Sequence, residues 1–347
     1  MKESTYTWNE YMFQFKKKAA NSDLSPVRVE QLLIYAKRLF ENKVPIIYDI
    51  QHLCYQIGYK PEYILRATIR PQNFYRIFSI RKKNGNKREI TEPLPGLKEI
   101  QYWILENVIK KTAPNSLNNA YLPKKSIISN AKFHRKQPML LNVDIEKYFD
   151  NMGFERVFSF FNDLGYNKEV SSILCKLVTL NNGLPQGSPS SPYLSSILTK
   201  DIDLNLLELC KNHNLRYSRY ADDISISGSF KPGVFIQKVK KEIKKSKFSI
   251  NPNKTNIKYK HQRQIVTGVI VNEKLSVKKE LLQKLRQEVY YVKKFGLESH
   301  MQKTGIDKFN YLYHLLGKSN FYLSVRKGDK NLLKLRKDIK DIIKLYN

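Results

Sequence analysis

Three aspartates stand where phosphoryl chemistry could be done. Asp222 and Asp223 lie side by side between two β-rich runs, Leu215–Tyr220 and Ile224–Ser227, and Asp144 follows the short apolar run Met139–Val143. A single carboxylate at a strand end is ordinary, because Asp favours turns. Two adjacent ones in a tight turn repel each other unless a cation sits between them. Magnesium suits such a place, being a hard ion held by one or two carboxylates plus substrate phosphates. Two such ions about 4 Å apart can activate a hydroxyl and stabilise both oxygens of an in-line displacement. The reaction then needs mainly positioning and positive charge. The basic run Arg81–Arg88 could bring that charge to a triphosphate.

The elements that must hold these residues can be read from periodicity. Residues 1 to about 65 predict helices, with Leu32, Leu33, Ala36, Leu39 and Phe40 at helical spacing and Pro26 and Pro45 as breaks. Asn84-Gly85 between β-rich runs predicts a hairpin over 74–92 with a basic tip. An amphipathic helix is expected over 97–111, and a buried strand at Met139–Val143 that ends on Asp144. Phe154, Val157, Phe158 and Phe161 form a helical stripe that should stop at Gly165, followed by a second helix from Val170 to Leu180. Leu184–Pro192 is a turn-rich loop leading into one helix over roughly 193–212. Residues 215–227 read as strand, turn, strand. A further hairpin is expected from Val266–Val271 and Leu275–Val277, turning at 272–274. Residues 278–347 read as helices rich in Lys and Tyr. With no internal repeat and no Gly/Ser linker, the expectation is one continuous α+β body with helical ends.

Composition restricts the partners. The 347 residues are 41% hydrophobic and 12% aromatic, enough for a real core and against disorder. Lys and Arg number 62 against 31 Asp and Glu, a formal charge of +31, which would cost stability by self-repulsion unless a polyanion neutralises it. The excess concentrates in residues 231–294, with eighteen basic and four acidic residues. Cys54, Cys175 and Cys210 form no CxxC pair, and the six histidines form no HxxxH pair, so a reduced cytosol fits and no zinc framework is offered. The polar N-terminus has no signal-type stretch, and no run approaches the roughly 20 apolar residues of a membrane span. A cytoplasmic, soluble protein without a membrane partner is expected.

Three strings carry a family resemblance. Tyr220-Ala-Asp-Asp223 resembles motif C (Y-x-D-D) of reverse transcriptases, Leu184-Pro-Gln-Gly-Ser-Pro189 resembles their motif B, and Val143-Asp-Ile-Glu-Lys-Tyr-Phe149 their motif A. With the basic hairpin they stand in the family's order, and the likeness covers about residues 74–280. The resemblance implies an α+β right-hand polymerase fold: fingers, a palm with an antiparallel sheet and a helical thumb, with a helical N-terminal extension. Its boundaries would be 1–65 for the extension, 66–275 for fingers and palm, and 276–347 for a basic, helical thumb and RNA-binding region. It implies RNA-directed DNA polymerase activity with two Mg2+ ions on Asp144, Asp222 and Asp223. Phe149 matches the aromatic gate that excludes a ribose 2′-hydroxyl, so dNTPs are the implied substrates. Gln186 matches the motif B glutamine that lies against the incoming nucleotide. Arg88, with Arg81 or Lys82, falls where the family clamps the triphosphate. Lys254 in Ile250–Thr255 resembles the motif D lysine that protonates pyrophosphate.

Two shorter strings are similar to elements of bacterial retron enzymes: Asn130-Ala-Lys-Phe-His134 to their N-A-x-x-H element and Val266-Thr-Gly268 to their V-T-G element. No RNase H, integrase or zinc-ligating endonuclease segment is visible. The retron resemblance implies a structured non-coding RNA as template and primer, with synthesis from an internal guanosine 2′-hydroxyl. It implies a branched RNA–DNA product accumulating as multicopy single-stranded DNA, and antiviral defence beside a separate effector protein. Asn130, His134, Val266, Thr267, Gly268, Lys284, Arg286 and Tyr290 are the residues expected at the RNA. Lysines interleave with Tyr259, Tyr290, Tyr291, Phe295, Tyr311, Tyr313, Phe321 and Tyr322, a mix suited to phosphates and unstacked bases. Part of that set must be helix core, since Tyr290 and Tyr291 cannot share a face. Two other readings stay open. One is a bacterial reverse transcriptase of the abortive-infection, defence-associated or group II intron-derived kind, without a retron RNA. The other is a non-catalytic RNA-binding scaffold, against which the intact Asp144, Asp222, Asp223 and Gln186 speak.

Overall fold

The computed structural model describes residues 7–81, 85 and 87–346. Four helices come first: α1 (Trp8–Ala19), α2 (Pro26–Glu41), α3 (Ile50–Ile57) and α4 (Pro61–Ile69). They are followed by β1 (Tyr75–Arg81), β2 (Lys87–Pro93), α5 (Pro95–Asn107), α6 (Ile127–Phe133) and β3 (Met139–Asp144). Next come α7 (Phe154–Asp163), α8 (Lys168–Val178), α9 (Ser191–Leu198), α10 (Lys200–Lys211), β4 (Arg216–Tyr220) and β5 (Asp223–Gly228). The chain ends with α11 (Pro232–Lys245), β6 (Asn256–Tyr259), β7 (Ile265–Val266), β8 (Val269–Ile270), α12 (Lys279–Phe295), α13 (Leu297–Thr304), α14 (Tyr311–Val325) and α15 (Lys330–Tyr346). Among the described residues no helix is long and apolar enough to cross a membrane.

The chain builds two compact units. One comprises the residues up to Ser116 with Lys147–Asp201; the other comprises Leu117–Glu146 with the chain from Ile202 onward. In the first, the N-terminal helices pack onto the α7–α8 pair. Tyr166 donates from its hydroxyl to the Pro45 carbonyl at 3.0 Å, and Asn167 from its side-chain Nδ2 to the Tyr48 carbonyl at 2.9 Å. Leu39, Ile47, Leu53 and Ile64 are fully buried, as are Phe161 and Leu174. The α7 stripe ends at Asp163, and Gly165 beyond it takes φ 102°, a left-handed stop. β1 and β2 form the expected antiparallel hairpin, with Arg81 opposite Lys87. Lys82 and Asn84 lie outside the described residues.

In the second unit a four-stranded antiparallel sheet runs in the order β4-β5-β3-β6. Strand residues alternate between faces. One face carries Tyr217, Arg219, Ile224, Ile226, Leu141 and Val143, all buried. The other carries Asp144 and Asp223 at one end and Ser218, Ser227 and Leu140 toward the other. The C-terminal helices α12, α14 and α15 share a core of Leu285, Val289, Leu315, Leu332 and Ile339, continuous with Leu140 and Val266. Of the thumb-side aromatics, Tyr311 and Tyr322 belong to this core, whereas Tyr290, Phe295 and Tyr313 are exposed.

Two expectations need correction. The helix expected over 193–212 is two helices broken at Thr199, whose hydroxyl donates back to the Ser195 carbonyl at 2.7 Å. The hairpin expected to turn at 272–274 instead turns at Thr267-Gly268, where both residues have positive φ (46° and 85°), as a type I′ turn requires. Only the Ile270–Ser276 bridge survives from the expected pairing.

Candidate active site

The carboxylates meet because of register. Asp144 at the end of β3 lies directly opposite Asp223 at the start of β5, and Asp223 is in turn opposite Tyr220 on β4. Ala221 and Asp222 are left as a two-residue turn. Like charges directly across a sheet destabilise it. That strain shows at Asp223, whose carboxyl is pushed up to about 6 by the protein packed around it and by the charges of Asp222 and Asp144, against the opposing pull of Lys254. Asp144 itself is buried.

One cation already answers this charge. The Lys254 ammonium donates to both Asp144 oxygens, at 3.0 and 2.8 Å. It rides on a tight turn, with the Lys254 and Thr255 amides donating to the Asn251 carbonyl, and the Asn251 amide donates to the Asp144 carbonyl at 2.8 Å. The backbone of Asp144 thus delivers the lysine to the Asp144 side chain. Its pKa is raised, first by the hydrogen bond to Asp144 and further by the three carboxylate charges, so it stays protonated. A cavity of about 390 Å³ opens here, lined by Asp144, Asp223 and Lys254 together with Lys258, Arg263 and Thr267.

Among the described residues, no three His, Cys, Asp or Glu side chains are already drawn into a metal cage. The donor chemistry nevertheless fits a hard divalent cation. The carboxylates are mutually repelling, and Asp144 already takes an ammonium as counter-charge. Asp144, Asp222 and Asp223 would hold it.

The residues expected on the nucleotide side lie within the first unit. Arg88 on β2 donates from Nε to Gln186 Oε1 at 3.0 Å, while the Thr91 amide donates to the Gln186 carbonyl at 2.9 Å. Gly187 can follow because it takes φ 144°, and a Cβ there would stand 2.6 Å from the Thr91 carbonyl oxygen. The glycine of the Gln-Gly string is what lets this loop touch β2. The Phe149 carbonyl accepts from the Leu184 amide at 3.0 Å, joining the motif A and B strings, and its ring is half-buried beside Tyr148. Arg81 is exposed at the end of β1.

The short retron-like strings land differently from expectation. His134 is fully buried, with Nδ1 and Nε2 each 2.7 Å from a hydroxyl, those of Ser227 and Ser218. Burial, and behind it the Arg216 charge, holds its pKa down to about 3, so it is neutral. Asn130 is buried against Asn119, and Val266 is core. These three are therefore corrected from RNA contacts to interior residues: no ring nitrogen of His134 is left for a base. Thr267 and Gly268 line the cavity beside the carboxylates, and the Thr267 hydroxyl donates to the Ile127 carbonyl at 3.1 Å. The two strings are thus one joint, α6 locked to the β7–β8 turn. Lys284, Arg286 and Tyr290 are exposed on α12, with the Lys294 ammonium 5.6 Å from the Tyr290 ring centre.

Sequence reading missed a charged pair beneath the turn, Asp203 and Arg219, both fully buried. The available signal was an arginine two residues after Tyr217, at an inward-facing strand position.

Comparison with known proteins shows the family of the chain. A family model described as "Reverse transcriptase (RNA-dependent DNA polymerase)" matches residues 80–312. The chain is similar to the retron Ec86 reverse transcriptase of Escherichia coli, 32% identical over 242 residues, covering 66% of this chain and 73% of that one. It is 31% identical over 237 residues to the retron Ec83 reverse transcriptase of Escherichia coli, covering 63% and 76%. To the retron Mx162 reverse transcriptase of Myxococcus xanthus it is 30% identical over 228 residues, covering 57% and 47%.

Proposed function

The chain belongs to the retron-type reverse transcriptases and is an RNA-directed DNA polymerase; from that premise we propose how its residues act and on what RNA. It copies a cognate structured non-coding RNA that is both template and primer, starting from an internal 2′-hydroxyl. The product is a branched RNA–DNA that accumulates as multicopy single-stranded DNA, in antiviral defence beside a separate effector protein. The right-hand parts are the extension at 1–65, fingers and palm over 66–275 and the thumb beyond. The observation that carries the catalytic reading is the register that sets Asp144 against Asp223 with Asp222 in the adjoining turn.

Magnesium, when bound by Asp144, Asp222 and Asp223, supplies activation of the attacking hydroxyl and charge stabilisation at the phosphorus. Lys254 has two parts to play. Paired with Asp144, it neutralises a carboxylate that is otherwise buried among like charges. Released from that pair, it remains a charged donor beside the site, able to protonate the departing pyrophosphate. Arg88 and Arg81 offer guanidinium forks to the triphosphate oxygens, with Lys82 in the same basic run. Gln186, held by Arg88 and by the Thr91 amide, presents a fixed surface to the base and sugar. Phe149 stands as the gate against a 2′-hydroxyl. Lys284, Arg286 and Tyr290 offer charge and a stacking ring to the RNA.

The test is to purify the chain with the nucleic acid it carries, sequence that nucleic acid, and supply dNTPs with Mg2+. A single structured RNA extended into a branched product is the expected result. Random RNA, or extension only from added 3′-ended primers, overturns the retron-RNA part and leaves the polymerase standing.

A further inference from the structure

The turn that carries Asp222 is strained and is held from three sides. Ala221 takes φ 57°, a left-handed conformation that an L-residue adopts only at a steric cost. Its amide donates to Asn118 Oδ1 at 3.2 Å, and its carbonyl accepts from Arg219 Nη1 at 2.9 Å. One residue on, the Asp222 carbonyl accepts from the Ile145 amide at 3.0 Å. Both polar groups of the Ala221 residue are therefore fixed by side chains from outside the turn.

Those side chains are themselves fixed. Arg219 is fully buried and donates from Nε to Asp203 Oδ1 at 2.7 Å and from Nη2 to Asp203 Oδ2. Asp203, on α10, also accepts from the Tyr217 hydroxyl. Asn118 Oδ1 accepts a second amide, that of Ala120, at 3.0 Å, and the Asn119 amide donates to the Arg219 carbonyl at 2.7 Å. The Asn118 segment and the Arg219 side chain, itself held by Asp203 from α10, thus converge on the two peptide groups that flank the Ala221 Cα.

Stability alone does not call for this arrangement. A buried ion pair loses much of its Coulomb gain to desolvation, and apolar residues of similar volume often replace one without loss. What an apolar pair cannot do is reach the Ala221 carbonyl. Arginine can, because its planar fork satisfies a bidentate carboxylate and still has an N–H to spare, which lysine cannot match.

We propose that Arg219, Asp203 and Asn118 are positioning residues of the polymerase reaction, which clamp Ala221 in its left-handed conformation and so fix where Asp222 presents its carboxylate. The proposal rests on the reading of Asp222 as a cation ligand. Strain stored at a ligand turn is retained only when the surroundings over-determine it, and here they do so through a charged pair that has no access to solvent or substrate.

The experiment compares the wild-type chain, a Tyr217→Phe/Asp203→Leu/Arg219→Met variant and Arg219→Lys. The readouts are thermal midpoint, RNA binding by filter retention, Mn2+ affinity by electron paramagnetic resonance without nucleotide, and dNTP incorporation. The clamp predicts an unchanged midpoint and RNA affinity, weaker Mn2+ binding, and incorporation reduced between about tenfold and a hundredfold, the penalty typical of a small misplacement. A folded variant with wild-type Mn2+ affinity and incorporation overturns it. Should the triple variant fail to fold, Arg219→Lys decides by the same two readouts, since it keeps the buried charge but cannot hold both partners. Asp222→Asn serves as the control: if it keeps Mn2+ binding and incorporation, the ligand reading itself is at fault. If it loses both while the Arg219 variants keep both, only the clamp fails.

Discussion

The second unit contains two hairpins with two-residue turns, and each holds a strained residue by different means. At Ala221-Asp222, between β4 and β5, the strained Ala221 is bonded at its amide by Asn118 and at its carbonyl by Arg219, with a buried ion pair behind them. At Thr267-Gly268, between β7 and β8, glycine takes one left-handed position freely. The other falls to a β-branched threonine at φ 46°, fixed by the hydroxyl bond to Ile127. The first turn is over-determined and presents a carboxylate. The second hangs from α6, and α6 is anchored to the sheet by a neutral histidine between two serines. Where a charge must be presented to a reaction, the sequence keeps an ordinary L-residue in strain and surrounds it. Where a turn serves as a joint, glycine and one hydroxyl suffice.

The largest effect separates the two turns outright. Asp222→Asn keeps the shape of the first turn and removes its charge, so dNTP incorporation should fall to background while RNA binding and thermal midpoint stay near wild type. Matching incorporation by the variant would mean that the first turn is a joint like the second.

The next effect is acid sensitivity of the second hairpin's anchor. His134 has a folded pKa of about 3, against roughly 6.5 in an unfolded chain, so the folded state binds fewer protons between those values. Stability should be complete above about pH 6.5 and be lost progressively as pH falls toward 3, with a slope of up to about 1.4 kcal/mol per pH unit. The protection of the α6 and β4 amides against hydrogen exchange, taken relative to the intrinsic exchange rate at each pH, should therefore fall between about pH 6.5 and 4.5. His134→Gln, which can bond both serines without titrating, should flatten that response. An equally steep response in the variant would place the titrating group elsewhere.

These contrasts mark what could be read from sequence. The strands around Asp144, Asp222 and Asp223 are legible because a short apolar run ends on Asp144 and two β-rich runs flank Asp222 and Asp223. The β7–β8 turn was misplaced because Val266–Val271 is interrupted only by Thr267 and Gly268, and a near-uniform apolar run does not say where it folds back. His134 and Asn130 are expected at the RNA because their string resembles the retron N-A-x-x-H element, and burial is not written in a five-residue string. The Lys254–Asp144 pair needed the Asn251 turn. The Asp203–Arg219 pair joins residues 16 apart through a helix–strand packing that no periodicity announces.

A smaller effect tests the joint. Nothing lies within 4 Å of a Cβ built on Gly268, so Gly268→Ala meets only the backbone penalty of φ 85°, about 1 kcal/mol. Thr267→Val removes the Ile127 bond for about 1 kcal/mol more. Both should lower the urea midpoint and leave Mn2+ affinity unchanged. A loss of Mn2+ affinity would give the second turn a share in the site.

The smallest effect is the sharpest. Ala221→Gly removes the strain that the clamp holds, but with Asn118 and Arg219 intact the peptide is still fixed, so incorporation should change little. In the Arg219→Met background the same change should matter. There an alanine at 221 is free to leave the left-handed region, whereas a glycine occupies that region at no cost. The double variant should recover part of the lost incorporation, a non-additivity of about 1 kcal/mol in a double-mutant cycle. Strict additivity would show that Arg219 acts on something other than the conformation of residue 221. The first turn would then owe its geometry to the pairing of β4 with β5 and not to its clamp.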